Sequence, residues 1–221
     1  MSAFSTARQK MVDGQVRTND VTDLRIIDAM AELPREEFVP ENQRALAYLD
    51  RDLDVTSGGT KRFLIKPMLT AKLLQAAEIV NTDNVLIVGC ATGYAAALAA
   101  KLAWKVTATE SDAALVARGT EILNRLGLGG NVTFQVAEAA IGAPREAPYD
   151  VIMLNGATEM IPEQLYGQLK DGGRLVGVFA TIRPSRAMIV THSHHDFGNR
   201  ALFDAAAPVL PGLEQRPAFV F

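Results

Sequence analysis

The chain has 221 residues, of which 48% are hydrophobic and 21% are charged, so it has enough apolar material for the core of an ordinary globular protein. Its net charge of −3 argues against nucleic acid as a partner, because phosphate neutralisation needs clustered surplus cations. The single cysteine, Cys90, excludes an internal disulfide framework and a multi-cysteine zinc site. Since no apolar run approaches the ~20 residues of a membrane span and the first residues lack a signal-peptide pattern, we expect a reduced, cytoplasmic protein with no membrane partner.

The first part of the chain has the pattern of a helical cap followed by a loop. Apolar residues recur at helical spacing before Pro34, and a second helical segment is predicted over residues 41–49. Residues 56–66 are predicted to form a loop centred on Ser57-Gly58-Gly59-Thr60. With no repeat or flexible linker in the sequence, we predict a single domain over residues 1–221, made of a cap and loop (1–66) and a core (67–221).

From Pro67 onward, short apolar strands alternate with helices. Helices are predicted over 68–79, 94–102, 113–126 and 161–169, and strands over 84–88, 106–109, 132–136, 151–154 and 175–179. This alternation predicts an α/β fold with a mostly parallel, doubly wound sheet. Two last extended segments, 186–192 and 201–209, have a turn over 194–199 and no helix between them, which favours an antiparallel hairpin at the sheet edge.

A glycine-containing turn follows the first strand of this core. A dinucleotide-binding turn would have glycine at positions 89, 91 and 94, and only Gly89 matches, since Ala91 and Tyr94 stand at the other two. The G-x-G-x-G turn of methyltransferases that use S-adenosylmethionine would have glycine at 89, 91 and 93, and here Gly89 and Gly93 match. An alanine at 91 preserves the backbone contacts of the turn as long as its φ stays negative. The spacing therefore favours the methyltransferase turn.

Glu110 ends the next predicted strand, where a carboxylate can accept both ribose hydroxyls of a bound nucleoside. The carboxyl ends of neighbouring parallel strands meet at one edge of a sheet, so Glu110 is expected near the turn. The alternative is a glycine-rich turn and a strand-end acid with no ligand, as occurs in many α/β proteins.

Taken together, a series of segments resembles the protein-L-isoaspartate O-methyltransferase family, from about residue 11 to residue 179. No single segment is specific to the family, but the order and spacing of the segments together are. The chain therefore resembles a diverged member of this family. The segments are Arg25–Met30, Pro34–Pro40, Tyr48, Asp50–Leu53, Gly89–Tyr94, Leu123–Gly127, Ala147–Asp150, Ile161–Pro162, Gln168–Leu169 and Gly172–Leu175.

The resemblance implies a Rossmann-like methyltransferase fold, S-adenosyl-L-methionine as methyl donor and S-adenosyl-L-homocysteine as product. The implied acceptor is the side-chain carboxylate of an isoaspartyl residue in a damaged protein or peptide. A carboxylate with a pKa of about 4 is already ionised at neutral pH, so alignment with the donor replaces a general base. The expected donor-binding residues are Gly89, Cys90, Ala91, Gly93, Glu110, Ser111, Glu138 and Ala139.

Departures from the family pattern cluster at the expected active site. The family's Thr-Ile-Ser segment before the proline that matches Pro67 ends here in Ile65, which leaves Thr60 and Thr70 as nearby hydroxyl candidates. Ile87 replaces a strand acid, Ala137-Glu138-Ala139 replaces the Gly-Asp-Gly segment, and residues 207–212 lack a polar pattern. Because of these departures, an alternative interpretation stays open. In it, the chain is a non-catalytic or repurposed relative that binds S-adenosylmethionine but has lost isoaspartyl repair activity.

Four further features allow more than one interpretation. Lys61, Arg62 and Lys66 are expected either to attract an acidic acceptor or to lie on an ordinary solvated loop. Cys90 is either a thiol with a lowered pKa beside a helix N-terminus or a small residue that fills the turn. The segment with His192, His194 and His195 is either a metal site or a polar strand end; no carboxylate or thiolate pattern nearby completes a site, so no metal is predicted. Monomer and homodimer both stay open.

Overall fold

A computed structural model describes residues 3–194 and 196–215. The N-terminal cap has helices α1 (Ala3–Met11) and α2 (Leu24–Glu32). Between and after them lie a π-helical turn (Val12–Val16) and three 3-10 helices (Arg17–Asn19, Arg35–Phe38 and Glu41–Leu46). The Asp23 carboxylate caps α2 by accepting a hydrogen bond of 2.9 Å from the Arg25 amide. The predicted helical character is thus present, although the second segment is a 3-10 helix that stops at Leu46.

The loop predicted over residues 56–66 contains a short strand, β2 (Phe63–Leu64), which pairs antiparallel with β1 (Leu53–Asp54) just before the loop. It is followed by α3 (Pro67–Ala77), which begins with proline at its first position, where no amide donor is needed. The Asp50 carboxylate accepts a hydrogen bond of 3.0 Å from the Met68 amide in the first turn of α3.

Within the described residues, seven strands form the central sheet, in the order β5-β4-β3-β6-β7-β8-β9. They are β3 (Asn84–Val88), β4 (Lys105–Glu110), β5 (Val132–Val136), β6 (Tyr149–Thr158), β7 (Leu169–Phe179), β8 (Arg186–Ser193) and β9 (Asp196–Asp204). Strands β3 to β7 pair in parallel, whereas β8 and β9 pair antiparallel at the edge. The connecting helices include α4 (Tyr94–Ala100), α5 (Ala113–Arg125) and α6 (Glu163–Tyr166). The predicted doubly wound sheet with a C-terminal hairpin is confirmed.

Several element boundaries differ from prediction: β6 extends beyond the predicted 151–154 at both ends, β7 begins before the predicted 175, and β9 ends at Asp204 rather than at 209. The helix predicted over 161–169 is only the four-residue α6, because the Gln168 carbonyl accepts from the Tyr149 amide and Leu169 already pairs with Tyr149 in the sheet. The turn predicted over 194–199 is wrong in length, since Asp196 already pairs with Ser193 at the start of β9.

Both faces of the sheet are covered by apolar side chains. Val85 and Ile87 belong to the larger cluster, which includes the cap, α3 and α4, whereas Leu86 and Val88 belong to a smaller cluster on the opposite face. This alternation explains the continuous apolar sequence of β3. Among the helices of residues 3–194 and 196–215, none is long and apolar enough to cross a membrane.

Strand β3 lies between β4 and β6, so the chain leaves it in one direction and later returns on its other side. In open α/β sheets, ligands bind in the crevice at the carboxyl ends of the strands at such a reversal of strand order. The turn after β3 and the end of β4 border that crevice.

Candidate functional site

The turn between β3 and α4 has three residues with positive φ. These are Gly89 (φ +68°), Ala91 (φ +51°) and Gly93 (φ +93°). The condition stated for Ala91, a negative φ, is therefore not met, and the alanine is held in a left-handed conformation that a side chain disfavours. The turn is closed by a hydrogen bond of 2.8 Å from the Gly93 amide to the Cys90 carbonyl.

Glu110 lies against this turn, and its side chain is 1% exposed. Its Oε2 accepts a hydrogen bond of 2.8 Å from the Ala91 amide, and its Oε1 accepts one of 2.9 Å from the Ser111 amide. The structure thus brings together Glu110, Ser111 and the turn, three parts of the predicted donor site.

Arg62 is the main feature of the site that the sequence did not reveal. Its guanidinium forms a buried ion pair with Glu110, with Nε 3.0 Å from each carboxylate oxygen and Nη2 2.7 Å from Oε2. Nη2 also donates to the Gly89 carbonyl at 2.8 Å, and the Arg62 side chain is only 3% exposed. Neither interpretation of the loop cations holds for Arg62. Its side chain is buried rather than solvated, and its charge is paired with Glu110 rather than available to an acidic acceptor, although Lys61 is exposed.

Leu210 packs on the turn at Gly89, beside Arg62. A Cβ built on Gly89 would lie 2.4 Å from Leu210 Cδ2, which shows how closely the leucine approaches the backbone. The backbone around Leu210 is fixed beside β6, since the Leu210 amide donates to the Ala157 carbonyl at 2.9 Å and the Ala157 amide donates to Pro208 at 2.8 Å. Asn155 adds a hydrogen bond of 2.9 Å to the Gly89 carbonyl.

Of the three residues predicted near methyl transfer, Ile65 and Thr70 are neighbours, with the Thr70 hydroxyl 3.5 Å from the Ile65 carbonyl oxygen, whereas Thr60 lies on the exposed part of the loop. Ile65 is buried, and its carbonyl accepts a hydrogen bond of 2.7 Å from Arg35 Nη2. The Thr70 hydroxyl donates to the carbonyl of Lys66, the residue before α3, at 3.2 Å, so it already has an acceptor. Thr60 is exposed and lines a pocket of about 420 Å³ together with Arg62 and other residues.

The remaining predicted donor-site residues follow β5 or belong to the turn. The Ala137 amide donates to the Glu110 carbonyl at 3.0 Å, which places exposed Glu138 and buried Ala139 just beyond the end of β4. Cys90 is fully buried, and this burial, with a further contribution from the Glu110 charge, raises the pKa of its thiol well above the usual value. The interpretation of Cys90 as a thiol with a lowered pKa is wrong.

His192 lies near the end of β8, with Nδ1 3.2 Å from the Leu169 carbonyl oxygen, and its ring stacks on Phe197 of β9. His195 lies outside the described residues. In the part of the chain that the structure describes, no three His, Cys, Asp or Glu side chains are grouped so that they could hold a metal ion.

Comparisons with known proteins decide the family. The family model of protein-L-isoaspartate(D-aspartate) O-methyltransferase matches residues 6–194. The chain belongs to this family. A protein-L-isoaspartate O-methyltransferase of Roseiflexus sp. strain RS-1 is 37% identical over 173 residues, which cover 78% of this chain and 77% of the relative. One from Methanoculleus marisnigri is 40% identical over 169 residues, or 76% of this chain and 75% of the relative.

Solved structures agree on the fold. A protein-L-isoaspartate O-methyltransferase structure superposes with a TM-score of 0.82 at 25% identity, covering 94% of this chain and 67% of the other. A Plasmodium falciparum protein described with the same activity, and solved in complex with S-adenosyl-L-homocysteine, gives a TM-score of 0.77 at 17% identity, covering 92% and 97%. The Rossmann-like methyltransferase fold is confirmed. The isoaspartate O-methyltransferase family depends on S-adenosylmethionine, and nothing in the comparisons favours a non-catalytic relative.

The residues of the site can be tested against a nucleoside donor. A buried carboxylate at the end of β4, held by two backbone amides beside a glycine turn, has the chemistry that a ribose diol requires. In the arrangement described here, however, the Arg62 guanidinium occupies the carboxylate and Leu210 covers Gly89. The residue types therefore fit the nucleoside, provided that these two side chains withdraw.

Proposed function

We propose that this chain is an S-adenosylmethionine-dependent methyltransferase that esterifies the side-chain carboxylate of isoaspartyl residues in damaged proteins or peptides. Family membership supports the reaction and the acceptor class. The observation in the structure that carries the proposal is the position of Glu110, buried at the end of β4 and bonded to the Ala91 amide of the turn.

The proposal gives each element of the site a role. Glu110 and Ser111 hold the ribose, the Gly89–Gly93 turn faces the amino-acid part of the donor, and Glu138 with Ala139 borders the base. When bound, S-adenosylmethionine supplies an electrophilic methyl group on its sulfonium. The chain's own residues align the acceptor oxygen and exclude water, because an ionised carboxylate needs no proton removed.

Ile65 bears on how the acceptor is held. A buried aliphatic side chain provides no hydrogen bond to the acceptor, so its contribution is exclusion of water from the reacting atoms. Its carbonyl is held by Arg35, which fixes the backbone of this segment. We infer that any side-chain hydroxyl near the acceptor comes from Thr60, since the Thr70 hydroxyl already donates to the Lys66 carbonyl.

The acceptor is a protein or peptide, and the reduced, cytoplasmic setting expected from the single buried cysteine is part of the proposal. The proposal is the same for a monomer and for a homodimer, since each residue given a role lies within one chain.

The test is transfer of a labelled methyl group from S-adenosylmethionine to a synthetic isoaspartyl peptide. The matched control is the same peptide with a normal aspartate. We expect a base-labile label on the isoaspartyl peptide alone. With Glu110→Gln, we expect the KM for the donor to rise about tenfold or more, because a charged acceptor of the ribose hydroxyls is lost. Binding of S-adenosylhomocysteine without methylation of either peptide would show that the acceptor is wrong.

A further inference from the structure

Every position on the Glu110 carboxylate that a ribose would use is taken by the chain itself. Oε2 accepts from Arg62 Nε, Arg62 Nη2 and the Ala91 amide at 2.7–3.0 Å. Oε1 accepts from Arg62 Nε at 3.0 Å and from the Ser111 amide at 2.9 Å. A carboxylate offers about four lone-pair positions in total, and the donors from Arg62, Ala91 and Ser111 already fill them, so ribose hydroxyls can be accepted only in exchange for Arg62.

We propose that Arg62 and Leu210 are built-in occupants of the donor site, and that an S-adenosyl ligand binds only after Arg62 leaves Glu110 and Leu210 leaves Gly89. The inference rests on the proposed function, since it concerns the same ligand at the same site. The additional point is that Arg62 and Leu210 control access to this site, a role that the sequence alone does not predict for either residue.

The Arg62 contact is strong but lies on a segment that can release it. A buried, charge-assisted arginine–carboxylate pair is among the stronger polar contacts in proteins. The Arg62 backbone stays anchored to Val55 and to the Thr56 hydroxyl by hydrogen bonds of 2.9 and 3.0 Å. A change of side-chain rotamer therefore releases the guanidinium without unfolding the β1–β2 pair.

A place for the released guanidinium lies next to it. The pocket of about 420 Å³ is bordered by Arg62 itself and by Thr60, Ser111 and Asp112. The Asp112 carboxylate accepts a hydrogen bond of 2.7 Å from the Ser57 hydroxyl on the facing loop. This second carboxylate keeps the charge of Arg62 compensated when the first is given to the ligand, which lowers the cost of the exchange.

Leu210 also blocks access to the turn, because its side chain occupies the space next to Gly89. Its Cδ atoms lie against both Gly89 and Gly156, where added Cβ atoms would be 2.4 and 2.8 Å away. A ligand that follows the turn backbone meets this side chain before it meets Gly89. The closed arrangement reduces the apparent affinity in proportion to the small population of the open one.

The test is calorimetric titration with S-adenosylhomocysteine of the wild-type chain and of Arg62→Ala, Leu210→Ala and the double variant. The matched control is Lys61→Ala, which removes a cation from the exposed neighbouring position. We expect about tenfold or more tighter binding by Arg62→Ala, a smaller gain by Leu210→Ala, and no change by Lys61→Ala. Adding Glu110→Gln to Arg62→Ala should abolish the gain, because the freed carboxylate is where the ribose binds.

The outcomes separate this inference from the proposed function. Equal affinity of the wild type and Arg62→Ala overturns the inference and leaves donor binding intact. Binding by the double variant together with none by the wild type at millimolar ligand supports the inference and removes the proposed function. If the folded double variant and the wild type both fail to bind, the two proposals fail together.

A measurement on the wild type guards against variants that do not fold. The Nε–H proton of Arg62, bonded to Glu110, is expected to exchange slowly with solvent and to give a distinct signal in nitrogen-correlated NMR spectra. Saturation with S-adenosylhomocysteine should shift that signal and speed its exchange. A fast-exchanging Arg62 Nε–H in the free chain would overturn the inference by itself.

Discussion

Gly93 combines a left-handed backbone with a tightly packed α-carbon. Its φ is +93°, and a Cβ there would lie 2.7 Å from Phe134 Cζ. Gly93→Ala is expected to lower the free energy of unfolding by about 3 kcal/mol, from backbone strain together with the clash. Urea denaturation measures this loss.

Gly127 provides the matched control for Gly93. It also has positive φ (+69°), but the described residues place no atom within 4 Å of an added Cβ. Gly127→Ala should therefore cost only the strain, about 1 kcal/mol. Equal losses at both positions would mean that Phe134 moves aside freely and that packing at Gly93 contributes little.

Cys90 should be unreactive in the native protein. Burial raises the pKa of its thiol, so at pH 8 the group stays protonated in the folded state, whereas in the unfolded chain it titrates near pH 8.5. The folded state therefore loses stability as the pH rises above about 8.5, because the unfolded state releases the proton more readily.

Two measurements check this prediction for Cys90. Labelling with a disulfide reagent at pH 8 should be limited by unfolding and should become fast in urea. The fall in unfolding free energy between pH 8 and pH 10 should be smaller in Cys90→Ala than in the wild type. Rapid labelling of the native chain would contradict the burial of the thiol.

Among the elements, α5 depends on a cap that connects it to the loop beside the site. The Asp112 carboxylate accepts from the Ala114 amide at 2.8 Å, and the Ser57 hydroxyl, the largest cause, lowers the pKa of this carboxyl. The stabilisation is complete above the ordinary pKa of about 4 and is lost as the pH falls through the lowered folded value. Asp112→Ala should cost about 1 kcal/mol at pH 7 and progressively less below pH 4.

Ser57→Ala tests the cause of that lowered pKa. Without the hydroxyl, the pKa of Asp112 should move back up, so the acid loss of stability should begin at a higher pH than in the wild type. Urea unfolding at a series of pH values between 7 and 3 compares the three chains. Superimposable acid profiles of the wild type and Ser57→Ala would rule out the hydroxyl as the cause.

The elements that could be predicted from the sequence are those with a local signal. The apolar run of β3 and the strand-end position of Glu110 predicted that the turn and the carboxylate would meet, because parallel strands end at one edge. The helix predicted over 161–169 failed because pairing of Leu169 with Tyr149 outweighs a local helical pattern. No local signal predicts that Arg62 crosses to Glu110, since that contact depends on how a loop packs on the finished sheet.

At the scale of the whole molecule, the cap and the sheet share one apolar cluster. Phe38 of the cap packs edge-on against Tyr94 of α4, with ring centroids 5.3 Å apart. Its carbonyl accepts a hydrogen bond of 2.6 Å from the Thr92 hydroxyl in the turn, and the neighbouring Val39 carbonyl accepts one of 2.6 Å from Arg118 of α5. The cap therefore supports the Gly89–Gly93 turn through these contacts, and we expect the cap and the site to unfold together.

Phe38→Ala tests whether the cap and the sheet unfold as one unit. Removing this fully buried ring should lower the unfolding free energy by about 3–4 kcal/mol, from lost burial and the cavity left behind. Leu49→Ala, at an exposed cap position, is the control and should cost less than about 0.5 kcal/mol. Hydrogen exchange by segment should show that Phe38→Ala lowers protection in α2 and in β3 by the same free energy, because opening either one exposes the shared core. Lost protection in the cap with an unchanged sheet would instead show two cooperative units, and the prediction of a single domain would be wrong.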